Sequence, residues 1–278
     1  MSGRSGIVCR RWIAGRRACA SGSSISHKEE VLIPNPIRKV LSTFQSCGVR
    51  ALLMGGQACV FYGAAEFSRD TDFALQADTE NLARLALALQ ELQASVIAVP
   101  AFSLDHLQNG HAVHFRCRHP EAAGMRVDVM ARMRGVADFP ELWERRTTLE
   151  QRDGTRYELL SLPDLVQAKK TQRDKDWPMI RRLIEADHAA VTGVPSPDQV
   201  RFWLREGRTA TLLVELASRY PAEAKSLATT VRPLLDASLR GDLADVEDRL
   251  AQEEQAERKA DRAYWIPLRA ELERMRHL

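Results

Sequence analysis

No apolar run in this 278-residue sequence is long enough to cross a bilayer as a helix. The longest, residues 51–65, is interrupted by Gly55, Gly56, Gln57 and Gly63. Residues 1–26 hold no apolar stretch of secretory length, so neither a membrane partner nor an export signal is expected. Cysteine is scarce: Cys9, Cys19, Cys47, Cys59 and Cys117 are odd in number, scattered, and contain no CxxC pair. That argues against a disulfide scaffold and fits unpaired thiols in a reducing, cytoplasmic compartment. Acids are missing from residues 1–28, which carry Arg4, Arg10, Arg11, Arg16, Arg17 and Lys28. Without this segment the 40 Lys and Arg fall to 34 against 37 Asp and Glu, so the overall +3 conceals an acidic body. A basic charge confined to a tail does not argue for a nucleic-acid-binding body. The tail's Arg/Ser/Ala-rich composition superficially fits an organellar transit peptide; a flexible basic extension over residues 1–30 is the simpler reading.

What is present reads as a mixed α/β unit over residues 31–190 and an all-helical part over 195–278. Ile37, Val40, Leu41 and Phe44 recur at helical spacing in 37–47, and Gly48 ends that helix. Residues 51–54 read as a buried strand, Gly55-Gly56 as a tight turn, and 57–62 as a helix. A strand at 67–75, a helix at 79–92 and a strand at 95–99 follow. Residues 112–118 and 125–130 read as a hairpin across the turn residues 119–124. Helical patterns occupy 139–146 and 161–188. After the Pro/Ser/Gly patch at 193–197 the pattern is helical throughout, near 198–206, 208–219, 221–239, 242–259 and 261–276, with no strand candidate and no internal repeat. The last segment reads as a mostly solvated charged helix interrupted at Pro267.

The chemistry concentrates in two places. Asp70 and Asp72, two apart in a strand, project from one face. Asp128 lies in RVDVM (126–130), where Val127 and Val129 take the opposite, core face; an acid on such a strand needs a partner. Three converging acids repel one another unless a divalent cation neutralises them, and all-oxygen ligands suit Mg²⁺ or Mn²⁺. The Gly55-Gly56 turn, lacking Cβ atoms, lets backbone approach a phosphate ahead of a helix N-terminus. Taken singly, a Gly-Gly pair is an ordinary turn, Asp-x-Asp a solvated strand end, and Val-Asp-Val an edge strand.

Their combination is more specific. A strand ending in Gly55-Gly56, then 13 residues, then Asp70-x-Asp72 on a second strand and Asp128 between apolar neighbours resembles the nucleotidyltransferase superfamily of polymerase-β type. Ser68, two before Asp70, falls where many members have Ser or Thr. The segment LSLPDLVQAKKTQRDKD (160–176) is similar to the helix after the core in the AbiEii-like branch, which includes nucleotidyltransferase toxins. There Lys169, Arg173 and Asp176, at i, i+4 and i+7, would share one helical face near the triphosphate. A solvated charged face is the plainer reading of that run.

The resemblance spans residues 48–185 and implies a metal-dependent transfer of a nucleoside monophosphate from an NTP to a hydroxyl on tRNA or other RNA, protein or a small molecule. Asp70, Asp72 and Asp128 would be the catalytic and metal-ligating acids; Gly55, Gly56, Ser68, Lys169, Arg173 and Asp176 would bind the nucleotide; an antitoxin partner is also implied. Thr71 stands where an aliphatic residue is usual, and Glu66 where many AbiEii-like members have Arg, with Arg69 a substitute. These departures leave open a catalytically inactive binding or regulatory module of the same fold, and the basic tail a nucleic-acid binder. Two other groupings are set aside. His106, His111, His114 and His119 with Cys117 have poor spacing for zinc. Cys59, Phe202 and Trp203 read as core residues.

Overall fold

Ile37, Val40, Leu41 and Phe44, the apolar stripe at the N-terminal end of the helical pattern, are all buried, and Phe44 stacks on Phe73 with ring centroids 4.5 Å apart. Their helix, α1 (Asn35–Ser46), packs over a mixed sheet in this computed structural model, which describes residues 23–26, 35–151 and 154–277. In chain order the strands are β1 (Ser23–Ser26), β2 (Ala51–Met54), β3 (Asp70–Leu75), β4 (Ser95–Val96), β5 (Val113–Arg116), β6 (Arg126–Met130), β7 (Thr147–Glu150) and β8 (Arg156–Leu159). Their order across the sheet is β1-β7-β8-β2-β3-β6-β5-β4. β2 runs antiparallel to β3, and β3 parallel to β6, so the glycine turn and both acid-bearing strands are consecutive neighbours at the sheet's centre. Most of the expected basic extension, residues 1–22 and 27–30, lies outside the described residues, as do Cys9 and Cys19. Ser23–Ser26 pairs parallel to β7 at the sheet edge.

The helices are α2 (Gly55–Phe61), α3 (Thr79–Glu91), α4 (Leu104–Gln108), α5 (Phe139–Glu144), α6 (Leu162–Lys169), α7 (Asp176–Ala190), α8 (Pro197–Glu206), α9 (Ala210–Arg219), α10 (Pro221–Thr230), α11 (Leu235–Arg240) and α12 (Leu243–Arg276). Asp78 caps α3 by accepting from the Asn81 N–H, and Ser196 with Gln199 forms a reciprocal capping box on α8. An α/β core followed by helices is thus the architecture the sequence predicts. One continuous buried core runs from Ile37 to Val246 across the loop at 193–197. Trp203 Nε1 donates to Asp187 at 2.7 Å, and Lys170 pairs with Glu206 at 2.9 Å, tying the two parts together.

Several elements differ from the sequence reading. The hairpin β7–β8 was not anticipated; its inward residues Thr147, Leu149, Tyr157 and Leu159 are buried, and Leu53 pairs with Leu159. The helix expected over 161–188 is two helices, because side chains take the backbone groups that a continuous helix would use. Arg134 donates to the Lys170 carbonyl at 2.8 Å, Trp177 Nε1 to the Thr171 carbonyl at 2.9 Å, and the Gln172 N–H to Asp261 at 2.9 Å. The helix expected over 221–239 stops at Thr230, where Pro233 disfavours helical backbone at Arg232. Conversely, α12 continues through Pro267 for 34 residues. Pro267 and Ala263 both lie on its exposed side, so water can satisfy the carbonyl that the proline leaves unpaired.

Candidate active site

β2 delivers Met54 opposite Asp72, and the chain enters α2 at Gly55 with φ +66°. A Cβ there would stand 1.8 Å from Asp72 Oδ2, so only glycine permits this approach. The Gly56 N–H donates to the Asp72 carboxylate, while a Cβ on Gly56 would meet Ser68 Oγ at 2.7 Å. Ser68 in turn donates to the Asp70 carbonyl at 3.0 Å. The two glycines, the serine and the first two acids therefore form one packed unit, with the glycine pair in the first turn of α2 rather than before it.

Along β3, Asp70 and Asp72 alternate with the buried Thr71 and Phe73, as period two requires. Thr71, the departure from the family pattern, is fully buried and donates to the Arg126 carbonyl at 3.2 Å, which satisfies its hydroxyl inside the sheet. On β6, Arg126 sits opposite Asp70 and Asp128 opposite Asp72, with Val127 and Val129 buried behind them. Asp128 Oδ1 accepts from Arg126 Nε at 2.8 Å and lies 2.9 Å from Nδ1 of His114, its neighbour on β5.

The two acids are held in opposite electrostatic states. Burial pushes the Asp72 carboxyl above the ordinary range, and the negative charges of Asp128 and Asp70 add to that; Lys169 and the Gly56 N–H oppose them only in part. Burial acts in the same direction on Asp128, but hydrogen bonds and charge from His114 and Arg126 outweigh it and hold that carboxyl low. Among the described residues no three of His, Cys, Asp and Glu form a ready metal-ligand cluster. The donor chemistry nevertheless fits a hard divalent cation at Asp70 and Asp72, because Asp72 is a half-buried carboxylate facing two like charges. Asp128 has Oδ1 committed to Arg126 and His114 and would join such a set through Oδ2.

Lys169 and Asp176 do not share a helix face; α6 ends at Lys169 and α7 begins at Asp176. They are brought together by the turn between. Asp176, 1% exposed, accepts from Lys169 at 3.0 Å, Thr171 at 2.6 Å and Arg173 at 2.7 Å. Burial would raise this carboxyl, but Lys169 and Arg173 keep it ionised and low. Asp176 thus acts as the anchor that orients two cations, of which Lys169 is buried and Arg173 half exposed.

A single cleft of about 620 Å³ is lined by Gly55, Gly56, Ser68, Asp70, Asp72, Asp128, Lys169, Arg173 and Asp176. Arg69, expected beside them, is exposed and is not among the lining residues. Residues that the sequence reading missed complete the cleft: Arg126, His114, and Asp261, Trp265 and Arg269 of α12. Arg126 was legible, since it lies two before Asp128 on the same strand face. His114 and α12 depend on long-range pairing. Away from this centre, Cys59 donates to the Gly55 carbonyl at 3.1 Å, and burial pushes its thiol up to about 11, which suits a core residue rather than a nucleophile. Phe202 and Trp203 are likewise buried. No helix among the described residues is long and apolar enough to cross a membrane. No protein-family model matches the chain, and no curated protein matches it significantly.

Proposed function

We propose that this chain is a divalent-metal-dependent nucleotidyltransferase that moves a nucleoside monophosphate from an NTP to a hydroxyl acceptor. The observation that carries the reading is the meeting, in one cleft, of a glycine turn, an Asp-x-Asp pair and a lysine–arginine pair drawn from residues 55 to 173. Asp70 and Asp72 would hold Mg²⁺ or Mn²⁺, which when bound neutralises charge on the transferring phosphoryl and the pyrophosphate leaving group. Gly55 and Gly56 give the phosphates close access to backbone, with Ser68 alongside. Arg173, half exposed, can exchange Asp176 for a triphosphate oxygen, whereas buried Lys169 supplies fixed positive charge from its place on Asp176. Asp128 has Oδ1 tied to Arg126 and His114, and Oδ2 without a hydrogen-bond partner among the described residues. Oδ2 is the atom positioned to take the acceptor's hydroxyl proton. The expected consequence is Mg²⁺-dependent thermal stabilisation by at least one of ATP, CTP, GTP and UTP; no stabilisation by any of the four contradicts the proposal.

The acceptor class, between RNA, protein and a small hydroxylated molecule, is the finer part of this proposal, as are an antitoxin partner and a cytoplasmic location. One observation favours a second reading, an inactive binding or regulatory module: Asp128, Lys169 and Arg173 are all engaged in ion pairs within the chain. That reading expects no transfer of label from any NTP.

A further inference from the structure

α12 is fixed across the cleft at two points ten residues apart. Asp261 accepts from the Gln172 N–H at 2.9 Å, and Glu271 pairs with the buried His111 at 2.7 Å. Between those anchors the helix rises about 15 Å. Asp261, Trp265, Arg269 and Leu272 fall on one stripe of it, and all four line the cleft that holds Asp70, Asp72 and Asp128.

Trp265 differs from the other described tryptophans, and Arg269 is an unpaired arginine that faces the cleft. Trp177 and Trp203 donate their indole N–H to Thr171 and Asp187, and the rings of Trp143 and Trp177 are covered by arginines. Trp265 is half-buried, and among the described residues its N–H has no hydrogen-bond partner and no cation lies over its ring; Tyr264 meets it edge-on, with centroids 5.4 Å apart. Arg249, Arg258 and Arg276 on the same helix are each ion-paired, whereas Arg262, Arg269 and Arg274 have no ion pair among the described residues, and of these three only Arg269 lines the cleft. An open aromatic face beside a five-donor guanidinium suits a planar ligand that carries acceptor atoms. A volume of about 620 Å³ is in the range of small-molecule sites and can hold one nucleotide.

We infer that Trp265 and Arg269 form the wall that receives the nucleoside half of the NTP, with Trp265 stacking on the base and Arg269 reading acceptor atoms on its edge. The inference rests on the nucleotidyltransferase reading: the triphosphate end would lie at the glycine turn and Lys169, the base end at α12. Arg269 is then a specificity-determining residue, because a group that only donates ranks bases by the acceptors they present.

The test is equilibrium binding, with Mg²⁺, of the four NTPs and of inorganic tripolyphosphate, which has no base. Trp265→Ala is expected to weaken the NTPs about tenfold or more while leaving tripolyphosphate unchanged. Trp265→Phe, which keeps a stacking face, should retain most of the affinity. Arg269→Ala, at an exposed position, should narrow the spread among the four NTPs. Unchanged NTP affinity in Trp265→Ala, or an equal loss of tripolyphosphate, overturns the inference, as does an unaltered base order in Arg269→Ala. If the unmutated chain binds neither NTP nor tripolyphosphate, the nucleotidyltransferase reading itself falls, and this inference with it.

Discussion

Gly55 and Gly124 both adopt left-handed backbone, at φ +66° and +77°, but a Cβ on Gly124 would meet nothing within 4 Å, whereas one on Gly55 would strike Asp72. Gly124→Ala isolates the backbone term, about 1–2 kcal/mol in urea denaturation. Gly55→Ala should cost more than that and should also abolish Mg²⁺–NTP binding, since relief of the clash requires Asp72 to move. A second pair of variants reads the opposed states of the acids. Asp72 has a raised carboxyl, so its contribution favours the fold at acidic pH and is lost as pH rises through its folded pKa. Asp72→Asn should therefore stabilise the ligand-free protein at pH 7, an advantage that vanishes as the pH falls below the ordinary carboxylate range. Asp128 has a lowered carboxyl, so its contribution is present above the ordinary value and is lost as pH falls through the folded one. Asp128→Asn should destabilise at pH 7, with the gap closing in acid. Thermal melts of both variants from pH 3 to pH 8 check the two signs.

At the scale of elements, α12 is joined to the rest by charge more than by apolar contact. Glu253 meets Arg208 and Arg232 at 2.8 Å each, and Glu257 meets Arg134 at 2.5 Å. Arg232 is buried and also donates to the Leu204 and Gly207 carbonyls. Arg232→Ala takes this donor from both buried carbonyls and leaves Glu253 with Arg208 alone, and should cost about 3–5 kcal/mol in urea denaturation. This construction also explains what the sequence concealed. Val246 and Leu268 are the buried apolar residues of α12, while its contact face is built of Glu253, Glu257, Asp261 and Glu271, so hydropathy reads the helix as solvated. The strand RVDVM was legible because Val127 and Val129 alternate with the charged positions. β7 and β8 are four residues each, and their buried face is set by pairing with β2, more than 90 residues away in sequence. The Lys169–Asp176 pairing was legible as a spacing but not as a turn, because the groups that break the helix, Arg134 and Asp261, come from remote segments.

For the molecule as a whole, the proposed chemistry is assigned to the cleft of the acidic body and not to the basic excess of residues 1–28. The fold places two carboxylates beside a glycine turn and two cations, and the proposed nucleotidyl transfer rests on that arrangement. The most direct test is incubation of the full chain with each α-labelled NTP, Mg²⁺, total RNA and a cell lysate. The account predicts that label from at least one NTP becomes attached to an acceptor in the RNA, protein or small-molecule fraction. It also predicts that Asp70→Asn/Asp72→Asn, folded by circular dichroism, transfers none. Equal labelling by the double variant and the unmutated chain, or no labelling by either, would contradict it.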